Sequence, residues 1–202
     1  IESYGFFFFV SSWGIGMCMN QMRPNSEPRG FVHELLLKKL QNYGEQAVRL
    51  STHQFFVNVE YLKVAILDAL DEAGCKYLVH IKAVDTITKD NRVTGVIVST
   101  KSGLVEILAD VIVDCSGDAD IAYFAGAPVL KETGNLAPQT LLLNVSNIDY
   151  YSSNDMNEVA KKAKPKYPLV PDEWGLAKIS NCHHYYINHS GTRGMGNFDI
   201  TD

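Results

Sequence analysis

The sequence predicts an α/β protein, and three observations support that class. A helical pattern over residues 58–74 is followed at once by a strand-like segment at residues 76–81. Two alternating stretches then meet around residues 90–91, which indicates an antiparallel hairpin. Finally, the short apolar run at residues 111–115 stops at a Ser-Gly pair, as a buried parallel strand does at its carboxyl end.

Composition restricts the classes of protein to which the chain can belong. Of its 202 residues, 46% are hydrophobic and 20% are charged, which is typical of a globular protein and excludes a disordered or fibrous one. The formal net charge of -5 argues against a non-specific nucleic-acid binder, which would carry a basic face. We therefore expect a globular protein that binds no nucleic acid.

Two helices are predicted in the first part of the chain. The first covers residues 30–43 and ends before Gly44, a common helix stop. Its apolar stripe consists of Phe31, Leu35, Leu36 and Leu40. The second begins at Asn58, whose side chain can cap it, and ends at Gly74. Its apolar stripe consists of Leu62, Ala65, Ile66, Ala69 and Leu70.

Strands are predicted in the middle of the chain. After the segment at residues 76–81 come the two arms of the hairpin, a turn at residues 101–103 and a third strand over residues 104–110. The apolar run at residues 111–115 is the last strand of this group, and we expect it to be buried and parallel.

The later part of the chain changes in composition. Turn-forming residues concentrate at 134–139, and a strand follows at 140–148. A short polar helix is predicted at 154–163 and is ended by Pro165. The remaining tail is typical of strands and loops.

These elements suggest two domains. The first is predicted over residues 1–137, with a loop and helix insertion at 17–57. The second begins after the turn-forming stretch and covers residues 138–202.

The strongest chemical signal is the segment DCSGDAD at residues 114–120. In open α/β sheets, ligands bind at the carboxyl ends of strands, and a glycine such as Gly117 lets the backbone approach a ligand because it has no Cβ. Acidic side chains beside it can hold hydroxyl groups. An ordinary strand-to-helix turn, with Asp118 or Asp120 as the helix cap, explains the same residues. The segment alone leaves both interpretations open.

Residues 59–128 resemble the bacterial FAD-dependent oxidoreductases, which have a flavin domain of the glutathione-reductase type. The likeness consists of a helix ending in EAG, a strand, a hairpin containing RVTGV, and a strand running into CSGDAD and AGAP. The family usually has ATGDGD where this chain has CSGDAD. Looser similarity covers QTLLLNVSNID and the INHSGTR and FDITD stretches. The resemblance implies an α/β fold: a partial FAD/NAD(P)-binding three-layer domain with a β-hairpin excursion, then the start of a mixed-sheet substrate domain.

The resemblance also implies FAD as the cofactor and assigns residues to it. Glu2 would bind the adenosine ribose, because a carboxylate accepts hydrogen bonds from two hydroxyls at once. The backbone of Ala83 and Val84 would meet the adenine. The residues implied near the phosphates or the isoalloxazine edge are Ser11 and Ser12. Those implied to pass close to the FAD are Ser116, Gly117 and Asp118.

The same resemblance leads us to expect a piece of a longer protein. In this family a Gly-rich βαβ unit, which binds the pyrophosphate, precedes the acidic residue. Residues 1–3 match the end of the second strand of that unit. We therefore expect the Gly-rich unit and the C-terminal part to lie outside the sequence. Phe8 and Phe9 stand where the family has a Gly-Gly pair, and the alternative interpretation makes residues 6–9 simply core.

Histidine and other polar residues concentrate near the end of the chain. No metal site is expected, because adjacent histidines in a strand lie on opposite faces and the spacing matches no zinc pattern. A polar wall of a substrate pocket for an anionic or hydroxylated molecule is one interpretation, and ordinary surface residues are the other. The wall would consist of His184, Tyr186, Asn188 and Arg193. We assign His184 and Arg193 as candidate catalytic residues on the substrate side, since the planar fork of arginine suits carboxylates.

The sequence predicts neither secretion nor a membrane span. The four cysteines are widely spaced, which favours reduced and mostly buried thiols in a cytoplasmic protein. The apolar segment at residues 6–19 lacks a basic region and is too short to cross a bilayer.

The resemblance implies an FAD-dependent oxidoreductase that acts on a small molecule by hydride transfer to or from the flavin. The alternative is a degenerate, non-catalytic relative that serves as an interaction module. A third hypothesis is a nucleotide-binding protein with no redox role. Exposed sheet edges would also favour association into a homo-oligomer.

Overall fold

The structure is a computed structural model that describes residues 1–7, 17–19, 30–50, 55–130, 139–146, 153–168, 175–178 and 184–192. In chain order, its strands are β1 (Met17–Met19), β2 (Val48–Leu50), β3 (Phe55–Val57), β4 (Lys82–Lys89), β5 (Arg92–Thr100), β6 (Gly103–Leu108), β7 (Gln139–Ser146), β8 (Gly175–Lys178) and β9 (His184–Thr192). Its helices are α1 (Phe31–Gln41), α2 (Val59–Glu72), α3 (Asp120–Phe124) and α4 (Ser153–Ala163). The mixture of helices and sheets confirms the predicted α/β class.

The chain divides into two compact units. Unit 1 consists of Ile1–Phe7 and Cys75–Gly134, and unit 2 consists of Phe8–Gly74 and Asn135–Asp202. Residues 8–74 and the later part of the chain thus belong to the same unit. The predicted domains, 1–137 and 138–202, stay a prediction of how the family fold is distributed along the sequence.

Unit 1 contains an antiparallel sheet in the order β4-β5-β6. Its first turn is formed by Asp90 and Asn91, whose φ angles of 49° and 60° are both positive, as a two-residue hairpin requires. The predicted hairpin and third strand are therefore confirmed. Val96 and Val98 are buried in this sheet, and the short helix α3 contacts β4.

Unit 2 contains the two long helices α1 and α2, which pack on each other. Helix α2 begins as predicted, because the Asn58 side chain accepts a hydrogen bond from the Glu60 N–H at 3.1 Å. Its buried residues are Leu62, Ala65 and Ile66. Helix α1 departs from its predicted stripe: Phe31 is 80% exposed, whereas Leu37 is buried beside Leu40. Phe31 is the first residue of the helix, and the apolar periodicity did not predict its exposure.

Unit 2 also contains two antiparallel sheets. One has the order β1-β3-β2, and the other has the order β7-β9-β8. Strand β7 confirms the strand predicted at 140–148, and helix α4 confirms the polar helix predicted at 154–163. Helix α4 contacts β8. Of the turn-forming stretch predicted at 134–139, residues 134–138 lie outside the described residues.

Two predicted strands are wrong. Residues 111–115 form no strand, and Val111 and Val113 are 79% and 78% exposed. A strand needs a hydrogen-bonded neighbour, and no described segment pairs with this run. Residues 76–81 also form no regular strand, although their backbone makes hydrogen bonds with Glu2 and Tyr4 near the start of the sequence. Apolar composition therefore favoured a strand at these residues, but it did not show whether a neighbouring strand would pair with them.

Candidate functional site

Glu2 is held by the backbone of residues 78–81. Its N–H donates to the Leu78 carbonyl at 2.9 Å, and its carbonyl accepts from the Ile81 N–H at 3.0 Å. The Glu2 carboxylate accepts from the Tyr4 N–H through Oε1 at 3.1 Å. No hydrogen bond of the described residues reaches Oε2, so one carboxylate oxygen remains able to accept from a hydroxyl. The sequence-predicted ribose ligand thus lies beside the segment that leads into β4.

A β-bulge lies at the start of β4. Ala83 pairs with Val98 and Asp85 pairs with Ile97, which leaves Val84 without a Cα partner on β5. Bulges interrupt a strand ladder locally and are frequent beside functional sites. The two residues assigned to adenine recognition, Ala83 and Val84, therefore occupy the irregular part of this strand.

Asp114 organises the turn that precedes α3. Its Oδ1 accepts from the Ser116 N–H at 3.0 Å and from the Ser116 hydroxyl at 2.7 Å. Its Oδ2 accepts from the Ala122 N–H at 3.0 Å. The Ser116 Oγ in turn accepts from the Asp120 N–H at 2.8 Å. Neither Asp118 nor Asp120 caps α3: the N-cap residue is Ala119, without a side-chain cap hydrogen bond. Asp114 was not predicted, although an Asp-x-Ser spacing is a recognised turn signal.

The same turn contains two left-handed residues. Gly117 has φ 97° and Ala119 has φ 60°. No described atom lies within 4 Å of the position that a Gly117 Cβ would occupy, so the backbone there faces open space. Glycine adopts this conformation readily, and the missing Cβ lets another molecule approach the main chain.

Electrostatics reinforce the turn. The Ser116 hydroxyl, followed by the N–H groups of Ser116, Ala122 and Ile121, lowers the pKa of Asp114, and partial desolvation opposes this only in part. A lowered folded-state pKa stabilises the fold above the unfolded value. That contribution is lost as the pH falls through the lowered pKa of Asp114.

We expect Ser116→Ala to move the pKa of Asp114 upward, toward its usual range, because the largest stabilising hydrogen bond is removed. The measurement is a ¹³C titration of the Asp114 carboxyl by NMR. Ser102→Ala, at the exposed turn before β6, is the matched control and should leave the titration unchanged. An unchanged Asp114 midpoint in Ser116→Ala would contradict the assignment of the hydroxyl as its main partner.

Ala119 should be a site of backbone strain. An alanine in the left-handed region costs roughly 1–2 kcal/mol, and glycine does not have this cost. We expect Ala119→Gly to raise the free energy of unfolding by about 1 kcal/mol in urea denaturation. Ala125→Gly is the control, since Ala125 has φ -74° and glycine there should destabilise instead. A loss of stability in Ala119→Gly would show that the strain is not present.

His80 packs closely against Gly5, next to Glu2. A Cβ at Gly5 would lie 2.7 Å from His80 Nε2, and His80 itself has φ 57°. The His80 N–H also donates to the Tyr4 carbonyl at 3.0 Å. Backbone hydrogen bonds therefore hold the segment that carries Glu2, and the exposed His80 ring lies against it at Gly5.

We expect Gly5→Ala to lower the free energy of unfolding by no more than about 1 kcal/mol: the new methyl group overlaps the imidazole, but His80 is exposed and its ring can turn away. In the His80→Ala background the same substitution should cost much less, since the ring is gone. Urea denaturation of the two single variants and the double variant measures this coupling. Strictly additive losses would mean that the close approach has no energetic consequence.

The substrate-side candidates lie in the other unit. The register of the β7-β9-β8 sheet pairs Tyr186 with Asn144 and Ala177, and Asn188 with Leu142 and Gly175. Residues two apart in a strand occupy one face, so positions 184, 186 and 188 share a face of β9. His184 is the first residue of that strand.

Several predicted residues lie outside the described residues. They are Ser11, Ser12 and Arg193. The two cysteines whose side chains are described, Cys75 and Cys115, are free but exposed, so the prediction of buried thiols is wrong for them. Both are in loops of unit 1, where no packed core covers them. Within the described ranges, no three His, Cys, Asp or Glu side chains are grouped so as to hold a metal.

Comparison with known proteins identifies the class. A family model described as FAD dependent oxidoreductase matches residues 9–191. The chain therefore belongs to the FAD-dependent oxidoreductase family, and FAD is its cofactor. The crystal structure of THI4 from Thermovibrio ammonificans is similar to the chain with a TM-score of 0.41 and 16% sequence identity. That alignment covers 61% of this chain and 49% of THI4, so the chain spans about half the length of THI4. No curated protein matches the sequence.

The residues of unit 1 fit parts of an FAD molecule. The available Oε2 of Glu2 suits a ribose hydroxyl, and the open backbone at Gly117 suits a closely approaching group. Asp118 follows Gly117 and is exposed. Among the helices of the described residues, none has both the length and the apolar character needed to cross a bilayer.

Proposed function

We propose that the chain binds FAD through unit 1 and takes part in hydride transfer between the flavin and a small molecule. The single observation that carries the proposal is the turn at Gly117, whose open, left-handed backbone is fixed by Asp114 and Ser116. Membership of the FAD-dependent oxidoreductase family supports it. When bound, FAD supplies a centre that accepts or donates a hydride.

The role of each residue follows from its position. Glu2 would accept hydrogen bonds from the adenosine ribose, and its backbone bonds to Leu78 and Ile81 would keep it in place. Ala83 and Val84 would present backbone groups to the adenine at the bulge of β4. Gly117 and Asp118 would contact the cofactor at the turn. Ser11 and Ser12 are proposed, from the family resemblance, to lie near the phosphates or the flavin edge.

The substrate side is assigned to the sheet of unit 2. His184 and Arg193 are proposed to orient an anionic or hydroxylated substrate, with Tyr186 and Asn188 on the same face of β9 as His184. The planar guanidinium group of an arginine can bind a carboxylate with two hydrogen bonds. Because the family acts on small molecules, we propose a small-molecule substrate and no nucleic-acid partner.

The cellular setting is also part of the proposal. A cytoplasmic, bacterial protein is supported by the resemblance stated above and by the two free thiols. A homo-oligomer is supported by exposed apolar residues on β6, an edge strand of its sheet: Leu104 and Leu108 are 69% and 70% exposed.

The test is a visible absorption spectrum of the purified chain before and after addition of FAD, with unbound flavin removed by gel filtration. We expect an oxidised-flavin band that co-elutes with the protein. Glu2→Gln should weaken binding, whereas Glu106→Gln, an exposed glutamate on β6, should not. A colourless protein after incubation would overturn flavin binding by this chain and favour a non-catalytic interaction module.

A chain that retains flavin can then be screened with candidate substrates. Anaerobic bleaching of the flavin band reports reduction by a substrate. His184→Ala should slow bleaching, and His189→Ala is the matched control because position 189 lies on the opposite face of β9. Equal effects of the two variants would contradict the assignment of the substrate face.

A further inference from the structure

The hydroxyl of Ser116 has a fixed direction in this structure. It is 2.7 Å from Asp114 Oδ1, and an ionised carboxylate can only accept a hydrogen bond. The single hydroxyl proton is therefore donated to Asp114. The Asp120 N–H, at 2.8 Å from the same Oγ, can then only donate to a lone pair of that oxygen. Ser116 has no proton left with which to donate to a ligand.

The hydrogen bonds of Asp114 connect the two ends of the turn. Oδ1 holds the Ser116 end, and Oδ2 holds the Ala122 N–H in the first turn of α3. Between these two points lie Gly117 and Ala119, both left-handed. Left-handed alanine is unfavourable and persists only where its surroundings impose it. The Asp114 carboxylate is the group in the described turn that bonds to both ends.

We infer that Asp114 and Ser116 are positioning residues of the FAD site: they fix the turn, and Gly117 and Asp118 make the contacts with the cofactor. This inference rests on the proposed function and assigns different roles to neighbouring residues within it. Ser116 contributes to FAD affinity through the geometry of the turn and not through a hydroxyl contact. Asp114 contributes although its two carboxylate oxygens are both used inside the protein.

The first test is an FAD titration, followed by flavin fluorescence, on the wild-type chain and on Asp114→Ala, Ser116→Ala and the double variant. Loss of a charge-assisted hydrogen bond should raise the Kd for FAD about tenfold in each single variant. Because both residues act through one turn, we expect the Kd of the double variant to lie within about twofold of the higher Kd of the two single variants. Multiplied losses would overturn the inference, since they indicate two independent contacts with FAD.

A conservative variant tests whether the hydroxyl group of Ser116 is what matters. Ser116→Thr keeps a hydroxyl that can donate to Asp114, and Ser116 is exposed, so an added methyl group can be accommodated. We expect Ser116→Thr to bind FAD within about twofold of wild type, whereas Ser116→Ala does not. Glu106→Ala removes one exposed carboxylate from the same unit and should leave the Kd unchanged. A Thr variant as weak as the Ala variant would overturn the role of the hydroxyl.

A second readout needs no cofactor. Amide hydrogen exchange of the FAD-free chain should speed up in Asp114→Ala at Ser116, Asp120 and Ala122, while the amides of β5 keep their protection. Unchanged exchange at these three amides would overturn the claim that Asp114 fixes the turn, whatever the FAD titration shows. If the wild-type chain fails to bind FAD while Asp114→Ala shows the faster exchange, the proposed function is overturned, and the role of Asp114 in fixing the turn stands. If Asp114→Ala binds FAD as tightly as the wild-type chain does, the positioning role alone is overturned.

Discussion

Gly117→Val is expected to weaken FAD binding by at least about tenfold, because a side chain at φ 97° costs about 1–3 kcal/mol and also enters the open space beside the turn. A β-branched side chain is the least suited to this conformation. In addition, its methyl groups would occupy the space through which the cofactor approaches the backbone. The measurement is the Kd for FAD from flavin fluorescence.

The matched control is Gly103→Val, at the turn between β5 and β6. Gly103 has φ 109° and equally open surroundings, so the two substitutions introduce similar backbone strain. We expect both variants to lose stability in urea denaturation, but only Gly117→Val to lose FAD affinity. Equal losses of affinity would mean that the effect comes from general destabilisation and that the turn at Gly117 is not part of the cofactor site.

The local features of the fold could be predicted because they depend on neighbouring residues. The Asn58 cap and the apolar spacing of α2 identified that helix, and the positive φ angles favoured by Asp90 and Asn91 identified the hairpin. The same reasoning located the turn at Gly117. In each case the interaction that decides the structure lies within a few positions along the chain.

Features that depend on distant partners could not be predicted in the same way. The run at residues 111–115 has the composition of a buried strand, yet Val111 is 79% exposed because no described segment pairs with it. The close approach of His80 to Gly5 joins residues 75 positions apart, and no sequence pattern announces it. Asp114 had a local signal, but the sequence does not show that its second oxygen reaches the Ala122 N–H.

The second large effect is expected in unit 2, where Leu62→Ala should lower the free energy of unfolding by about 2–5 kcal/mol. Leu62 is 1% exposed on α2, so truncation removes buried apolar surface and leaves a cavity. Val64→Ala is the control on the same helix: Val64 is 44% exposed, and we expect a loss below about 1 kcal/mol. Urea denaturation followed by circular dichroism measures both.

The same helix pair allows packing to be compared with charge. Lys39 of α1 and Glu72 of α2 form an ion pair at 2.7 Å, and Glu72 is 68% exposed. Water screens such a pair, so Glu72→Gln should cost no more than about 1 kcal/mol. If α1 and α2 are held mainly by their buried leucines, Leu62→Ala must exceed Glu72→Gln several-fold. Comparable losses in the free energy of unfolding would contradict this, because they would mean that the ion pair stabilises the helix pair as much as the buried leucines do.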